Sequence, residues 1–419
     1  MKFICLLMLV STSLWAKDIG PNFNSNTWAN SKIWAPISKL ISEQKYKAAK
    51  ETLEKNKEDF VTNDKDWTIY IIQTQRLTMA LGEAENSVEA FKAQDWPKSI
   101  SSNLLLELYY AQSLLNYYET YSWEINNREK VVSGKKLDLK KWTKAQIFTE
   151  IQKSLNSVYK KRGELGETKN DFFNAFIRSG NYPENIRGTL RDTLTYLYVD
   201  FLKNSQFWSA KEENEKTLLK LSSLLKKSAE KNALKNGAHP LQRINTILTD
   251  LENWHWKNDR IGALIEARLE MVRVLKSHFN EDHYKKQMSE FLKDYLRDYK
   301  IDSWWSEGYY LRSELISKLS EPEALIKAIA IGKEAVKAHP KSIGANRANT
   351  LINNISQPQM SLKLLHWDTQ GKKTITLKYK NWKKAHFRIY PFDPVKFFLN
   401  EKNEVLPNMG KMYEVLRNE

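Results

Sequence analysis

The chain has 419 residues and a formal net charge of +16 at pH 7, with only 14 Gly and 11 Pro. Lys, Glu, Leu and Ala dominate its periodic stretches, so the composition predicts a mostly helical protein that is long enough for more than one domain. The basic residues are spread among 50 acidic ones without a recognition motif, which argues against nucleic-acid binding. A basic surface instead favours anionic envelope components, acidic partners or plain solubility.

The first sixteen residues have the features of a secretory signal peptide. Met1–Ala16 contains one Lys, an apolar run over Phe3–Val10 and then small residues. Cleavage is expected after Ala16, with cleavage after Ser13 as the alternative, and the product is expected in the periplasm or outside the cell. The only cysteine, Cys5, lies in the apolar run without the small-residue approach of a lipoprotein site. The sequence therefore predicts no lipid anchor, and a mature chain without disulfides, Cys metal sites or thiol catalysis. No later segment approaches the run of about 18 apolar residues that a bilayer span needs.

After a polar leader over residues 17–27, the sequence predicts a series of helical hairpins. The segments with apolar residues at three- and four-residue spacing are Ile33–Lys55, Trp67–Ala80, Glu83–Ala93 and Leu104–Tyr121. Since each hairpin cannot bury its apolar face alone, it must stack on a neighbour. We expect a helical solenoid with a first half over residues 28–236 and a second half over residues 237–357.

One late segment, Glu323–Ile355, matches a known repeat. Ala328, Gly332, Ala335 and Pro340 fall at the offsets of the second helix of a tetratricopeptide repeat, where small residues let helices approach and Pro ends the hairpin. The aromatic half of the consensus is missing. The prediction is therefore an irregular, tetratricopeptide-like solenoid.

Three stretches are expected to interrupt the helices as loops. They are residues 132–139, 178–186 and 236–240. The third has Gly after a Lys-rich helix end and Pro shortly after, which is the chemistry of helix termination, and it separates the two halves.

The C-terminal region changes to the period-two pattern of half-buried strands. Strands are predicted over Leu362–Asp368, Thr374–Tyr379 and Ala385–Tyr390, with a hairpin turn at Thr369–Lys372. Three strands cannot close a two-sheet core, so residues 361–419 are expected to form a partial β-module. Its outer strand would expose unpaired backbone groups as a template for strand addition. The module is therefore expected to dock onto the solenoid, pair with another chain or remain mobile, with docking or pairing favoured. The candidate strand-pairing edge consists of Ile375, Leu377, Tyr379, Phe387 and Ile389.

This tail resembles the entry into the first macroglobulin-type β-domain of bacterial alpha-2-macroglobulin family proteins. The matching residues are Asn381, Trp382, Phe387, Arg388, Tyr390 and Asp393. Earlier residues resemble the long N-terminal helical region that precedes the β-domains in proteobacterial relatives; they are Ile125, Arg128, Asp138, Trp142, Tyr182, Pro183, Arg187, Leu190, Arg191, Asp192, Leu194, His239, Pro240, Leu251, Trp254 and His255. The resemblance implies that the chain holds this helical region and the start of the first macroglobulin domain.

The activity of that family is protease inhibition by entrapment. The chain has no Cys-Gly-Glu-Gln thioester, no bait region and no complement-like helical domain. The expected function is therefore that of an exported, non-enzymatic interaction protein. Its partner would be a separately encoded chain with the remaining macroglobulin domains, or a protease. The alternative is a stand-alone periplasmic adaptor whose concave solenoid face binds a peptide or partner protein.

Individual sites weighed in the sequence favour structural roles. His278 and His283 lie five residues apart, a spacing that does not align two imidazoles on one helix face, so a solvated turn is favoured over a metal site. Trp254-His255-Trp256 and Trp304-Trp305 are predicted to be wedges between helical hairpins in preference to carbohydrate-stacking platforms. There is no Gly-x-Ser-x-Gly, His-Glu-x-x-His or Gly-rich phosphate loop. The sequence consequently predicts no catalytic residue, cofactor or metal.

Overall fold

A computed structural model describes residues 32–129, 138–166, 181–227, 238–364 and 375–387. The chain divides into two compact units, Met1–Leu351 and Ile352–Glu419. Within the described ranges there are 18 α-helices and one two-stranded antiparallel sheet. The expectation of a mainly helical protein followed by a small β-module is therefore confirmed at this level of detail.

The helices follow one another along most of the chain. They are α1 (Ala35–Ser42), α2 (Tyr46–Lys55), α3 (Lys57–Phe60), α4 (Asp64–Ala80), α5 (Ala84–Ala93), α6 (Ile100–Thr120), α7 (Ser122–Asn126), α8 (Lys144–Lys160), α9 (Glu184–Arg187), α10 (Leu190–Lys203), α11 (Ala210–Glu215), α12 (Leu221–Leu225), α13 (Pro240–Lys257), α14 (Ile261–His278), α15 (Asp282–Tyr295), α16 (Trp305–Ser317), α17 (Ala324–Ala338) and α18 (Ile343–Ser356). The two strands are β1 (Gln359–Leu364) and β2 (Ile375–Lys380).

The helices of the first unit pack mainly on helices that are close in sequence. Helix α4 contacts α5 and α6, α13 contacts α14, and α16 contacts both α15 and α17. Small residues allow the contact between α16 and α17, because Ala328, Gly332 and Ala335 are all buried on α17. The predicted small-residue face therefore exists, while its register as a tetratricopeptide repeat stays a prediction.

Helix boundaries differ from the predicted ones where local backbone chemistry decides them. The segment predicted as Ile33–Lys55 is two helices, because the chain turns at Gln44, which has a φ of 59°. The predicted loop over residues 178–186 ends early, since α9 begins at Glu184, where a carboxylate in the first turn favours a helix start. At the third predicted break, Pro240 occupies the first turn of α13 and His239 caps it. Residues 132–137, 178–180 and 236–237 lie outside the described ranges.

Helix α18 approaches α16 so closely that its second residue must be glycine. A Cβ atom on Gly344 would lie 2.2 Å from the backbone nitrogen of Glu307 and 2.3 Å from the carbonyl carbon of Ser306. Since both contacts are with backbone, no side-chain rotation relieves them. We expect Gly344→Ala to lower the free energy of unfolding by about 1–3 kcal/mol, as overpacking does elsewhere.

Urea denaturation followed by circular dichroism measures this effect. Gly163→Ala is the matched control, because a Cβ atom there would meet nothing within 4 Å. That variant should unfold at the wild-type midpoint or slightly above it. The corresponding gain in the free energy of unfolding is at most about 0.4–1 kcal/mol. Equal midpoints for the two variants would contradict the close approach at Gly344.

Candidate functional site

The hairpin of the second unit has one apolar face and one basic face. Strands β1 and β2 are antiparallel, and directly paired residues project to the same side of a sheet. The pairs are Gln359 with Lys380, Met360 with Tyr379, Ser361 with Lys378, Leu362 with Leu377, Lys363 with Thr376, and Leu364 with Ile375. Apolar and polar pairs therefore alternate. We call Met360, Leu362, Ile375, Leu377 and Tyr379 the apolar face, and Lys363, Lys378 and Lys380 the basic face.

The apolar face is open to solvent. Met360 is 50% exposed, Leu362 52%, Ile375 44% and Tyr379 65%. An isolated two-stranded hairpin is at best marginally stable in water and normally needs a further strand or a packed face. Contiguous exposed apolar side chains are a common mark of protein interaction sites. The apolar face is therefore the main candidate site for binding.

The end of β2 is attached to the last turn of α18 within the second unit. Lys380 Nζ donates a hydrogen bond to the Asn354 carbonyl oxygen at 2.7 Å, and Asn381 Nδ2 donates one to the Ile355 carbonyl oxygen at 2.8 Å. These carbonyls belong to the helix end, where they have no partner inside the helix. Asn381 has a φ of 60°, a left-handed conformation that Asn tolerates better than most residues. These two bonds fix the C-terminal end of β2 against the end of α18.

The candidate strand-pairing edge is only partly assembled. Ile375, Leu377 and Tyr379 lie together on β2, whereas Phe387 belongs to a stretch without regular secondary structure. The strand predicted from Ala385 is therefore wrong over residues 385–387, where no described strand supplies a hydrogen-bonding partner. Alternation alone could not reveal this, because a strand also needs a neighbour. Ile389 and the predicted turn at Thr369–Lys372 lie outside the described ranges.

A buried ionic network is the main polar feature inside the first unit. Two carboxylates of α14, Glu266 and Glu270, face Arg187 of α9 and Arg273 of α14. Arg187 Nη2 lies 2.5 Å from Glu266 Oε1 and 2.9 Å from Glu270 Oε2. Arg273 Nη1 lies 2.7 Å from Glu266 Oε1, and its Nη2 lies 3.3 Å from Glu307 Oε1 of α16. These bonds join α9, α14 and α16.

Aromatic groups enclose the network. The guanidinium carbon of Arg187 lies 3.8 Å from the centre of the Tyr182 ring and 3.4 Å from that of Tyr196. Trp304 Nε1 donates to Glu266 Oε2 at 2.7 Å. Rings this close to a guanidinium add cation–π attraction and exclude water. This strengthens each ion pair that they surround.

Charge pairing and burial have opposite effects on the pKa values of the network carboxylates. Charge pairing has the larger effect at Glu270, and burial has the larger effect at Glu307. Burial would raise the pKa of Glu270, but Arg187, Arg273 and Lys203 together lower it to about 2. Burial raises the pKa of Glu307 above its ordinary value despite Arg273 and Arg347. One of its carboxylate oxygens, Oε2, is buried and has no hydrogen-bond partner among the described residues, which fits this direction. The groups neutralise one another, an arrangement suited to fixing helix positions.

A second buried ion pair lies nearby in the same unit. Arg268, which is 1% exposed, donates through Nε to Glu252 Oε2 at 3.0 Å and through Nη1 to the Leu225 carbonyl oxygen at 3.2 Å. The other oxygen of Glu252 accepts from Tyr295 and from Lys227, both at 2.9 Å. Every oxygen of this buried carboxylate is therefore partnered.

His278 and His283, the two histidines with a possible metal-ligand spacing, lie in different environments. His278 ends α14, with its Nε2 atom 3.1 Å from the Lys203 carbonyl oxygen and its ring stacked on Trp208. It is therefore packed against protein. His283 is exposed but lies in the first turn of α15, so the predicted solvated turn is wrong for both residues. Among the residues that the structure describes, no group of three or more His, Cys, Asp or Glu is arranged to hold a metal ion.

The tryptophan pairs are mostly structural. Trp304 and Trp305 are buried, as is His255, whose Nε2 atom lies 2.8 Å from Asp192 Oδ1. These residues therefore belong to the core, while their role as wedges between helical hairpins stays a prediction. Trp256 differs, since it is 57% exposed on the last turn of α13.

Comparison of the chain with protein-family models, with curated proteins and with solved structures finds no match. In the part of the chain that the structure describes, no helix combines the length and the apolar character that crossing a membrane requires.

Proposed function

We propose that the chain is an exported, non-enzymatic interaction protein in which the hairpin is completed by β-strands of a second polypeptide. In this proposal residues 28–357 form an irregular tetratricopeptide-like solenoid, and residues 361–419 are the start of a macroglobulin-like module. The second polypeptide carries the remaining macroglobulin-type domains of an alpha-2-macroglobulin-like protease inhibitor. The assembly, and not this chain alone, engages a protease.

The observation that carries the proposal is the exposed apolar face of the hairpin. Met360 and Tyr379 form a directly paired couple, and each is at least half exposed. Packing a second sheet on this face would bury them at the spacing of about 10 Å that β-sandwiches use. Burial of apolar surface is the dominant favourable contribution to most protein association. The resemblance of the tail to the start of a macroglobulin domain names the type of sheet that would pack there.

The test first looks in the adjacent reading frames for a polypeptide with macroglobulin-type β-domains, and then uses that polypeptide as the partner. Hydrogen exchange is measured on the amides of residues 359–364 and 375–380 with and without that polypeptide. We expect fast exchange in the isolated chain and strong protection in the mixture. The double variant Leu362→Ser/Tyr379→Ser should weaken binding by about 100-fold, since each exposed apolar side chain contributes about 1.5 kcal/mol or more when it is buried.

Ile301→Ser is the matched control, because Ile301 is 97% exposed in the first unit, away from the hairpin sequence. It should bind like the wild type. Strong protection of the hairpin in the isolated chain, or equal effects of the hairpin and control variants, would contradict the proposal. A genome whose adjacent reading frames lack such domains would contradict its split-inhibitor form and leave the stand-alone adaptor as the better account.

A further inference from the structure

We infer that the free edge of β2 accepts an extended strand in which apolar and acidic residues alternate. This inference rests on the proposed function, because it names the chemistry of the segment that completes the hairpin. Within the described residues, β2 has β1 as its neighbour on one edge and no strand on the other. An edge of this kind offers backbone donors and acceptors to an incoming strand.

The two faces of the hairpin define what the incoming strand must carry. Side chains of an added strand alternate between the faces in the same way as those of β2. Every second residue would therefore extend the apolar face beside Leu377 and Tyr379. The residues between them would lie beside Lys378 on the basic face.

Charge decides the character of those intervening residues. Opposite Lys378, β1 places the neutral Ser361, so the paired strand provides no counter-ion. The described ranges 352–364 and 375–387 contain no Asp or Glu, and their lysines are Lys363, Lys378, Lys380, Lys383 and Lys384. Over the whole second unit, twelve Lys and Arg minus six Asp and Glu leave a net charge of +6. Opposite charges across neighbouring strands stabilise a sheet, and like charges destabilise it.

The same charges argue against a second copy of this chain as the occupant. Pairing β2 with β2 would bring two basic faces together, each with Lys378 at the junction. Like-charge contact of this kind selects against a partner. An acidic strand from a different molecule meets the requirement of both faces.

The test uses two synthetic peptides of about eight residues, one alternating Val with Glu and the other alternating Val with Lys. N-methyl groups on the outward amides prevent the peptides from pairing with themselves. Binding is measured by fluorescence anisotropy, and hydrogen exchange locates it. We expect the Glu peptide to bind the full chain at least about fivefold more tightly than the Lys peptide and to protect β2, with the preference shrinking in high salt.

Lys378→Glu should reverse the order of the two peptides, whereas Lys333→Glu, at an exposed position on α17, should leave it unchanged. Equal binding of both peptides, with β2 protected, would overturn the acidic preference while leaving the hairpin as a docking site. Failure of both peptides to protect β2, with protection by the macroglobulin-type polypeptide intact, would overturn strand addition at this edge alone. Failure of every probe would overturn the proposed function as well.

Discussion

Glu266→Gln is expected to lower the free energy of unfolding of the helical unit by about 3–5 kcal/mol, the usual effect of removing one partner from a buried ion pair. Glutamine keeps the shape of the side chain and removes its charge. Arg187 and Arg273 would then face Glu270 with one buried negative charge fewer, and the Trp304 indole would donate to a neutral amide. Because several groups share Glu266, the loss should exceed that of an ordinary surface pair.

Urea denaturation at neutral pH measures this loss. Glu290→Gln provides the control, since Glu290 is 66% exposed and pairs with Lys293 on the surface of α15 at 3.6 Å. Exposed pairs of this type contribute about 0–1 kcal/mol. If Glu266→Gln and Glu290→Gln unfold at the same urea concentration, the buried network does not contribute as we describe.

Arg268→Met is expected to have an effect of similar size, about 3–5 kcal/mol. The substitution keeps an unbranched chain in the buried space and removes the guanidinium. Glu252 would retain only Tyr295 and the half-exposed Lys227 as partners, and the Leu225 carbonyl would lose its donor. The carboxylate would remain buried with too little compensation.

The double variant Glu252→Gln/Arg268→Met measures how much of the loss comes from the contact between these two side chains. Without the buried carboxylate, loss of the guanidinium should cost less, so the double variant should be more stable than the sum of the single changes predicts. We expect a coupling energy of about 1–3 kcal/mol, as for other residues in direct contact. Additive effects would show that the two side chains act independently in spite of their contact.

Much of the fold was accessible from sequence because it depends on local patterns. The apolar spacing that predicts a helix at Trp67–Ala80 lies inside α4, and the small residues Ala328, Gly332 and Ala335 lie on the buried side of α17. Alternation of Ile375, Leu377 and Tyr379 matches β2. In each case the information needed is contained in neighbouring residues.

The ionic network was missed because its partners are distant in sequence. Arg187 and Glu266 are 79 residues apart, and no spacing rule connects them. One local signal was present, since α14 is buried on nearly all sides and still carries Glu266, Arg268 and Glu270. Charged residues in so apolar a helix indicate buried ion pairs. Their partners, however, become known only when the helices are assembled.

The succession of helices that pack on their chain neighbours also bears on the rate of folding. Contacts such as those of α13 with α14, and of α16 with α17, join segments close in sequence, and local contacts of this kind form quickly. The bonds from Arg187 to Glu266 close a much longer loop and have a larger entropic cost of closure. We therefore expect the ion pairs to form after the helices that they connect, so that they slow unfolding more than they accelerate folding.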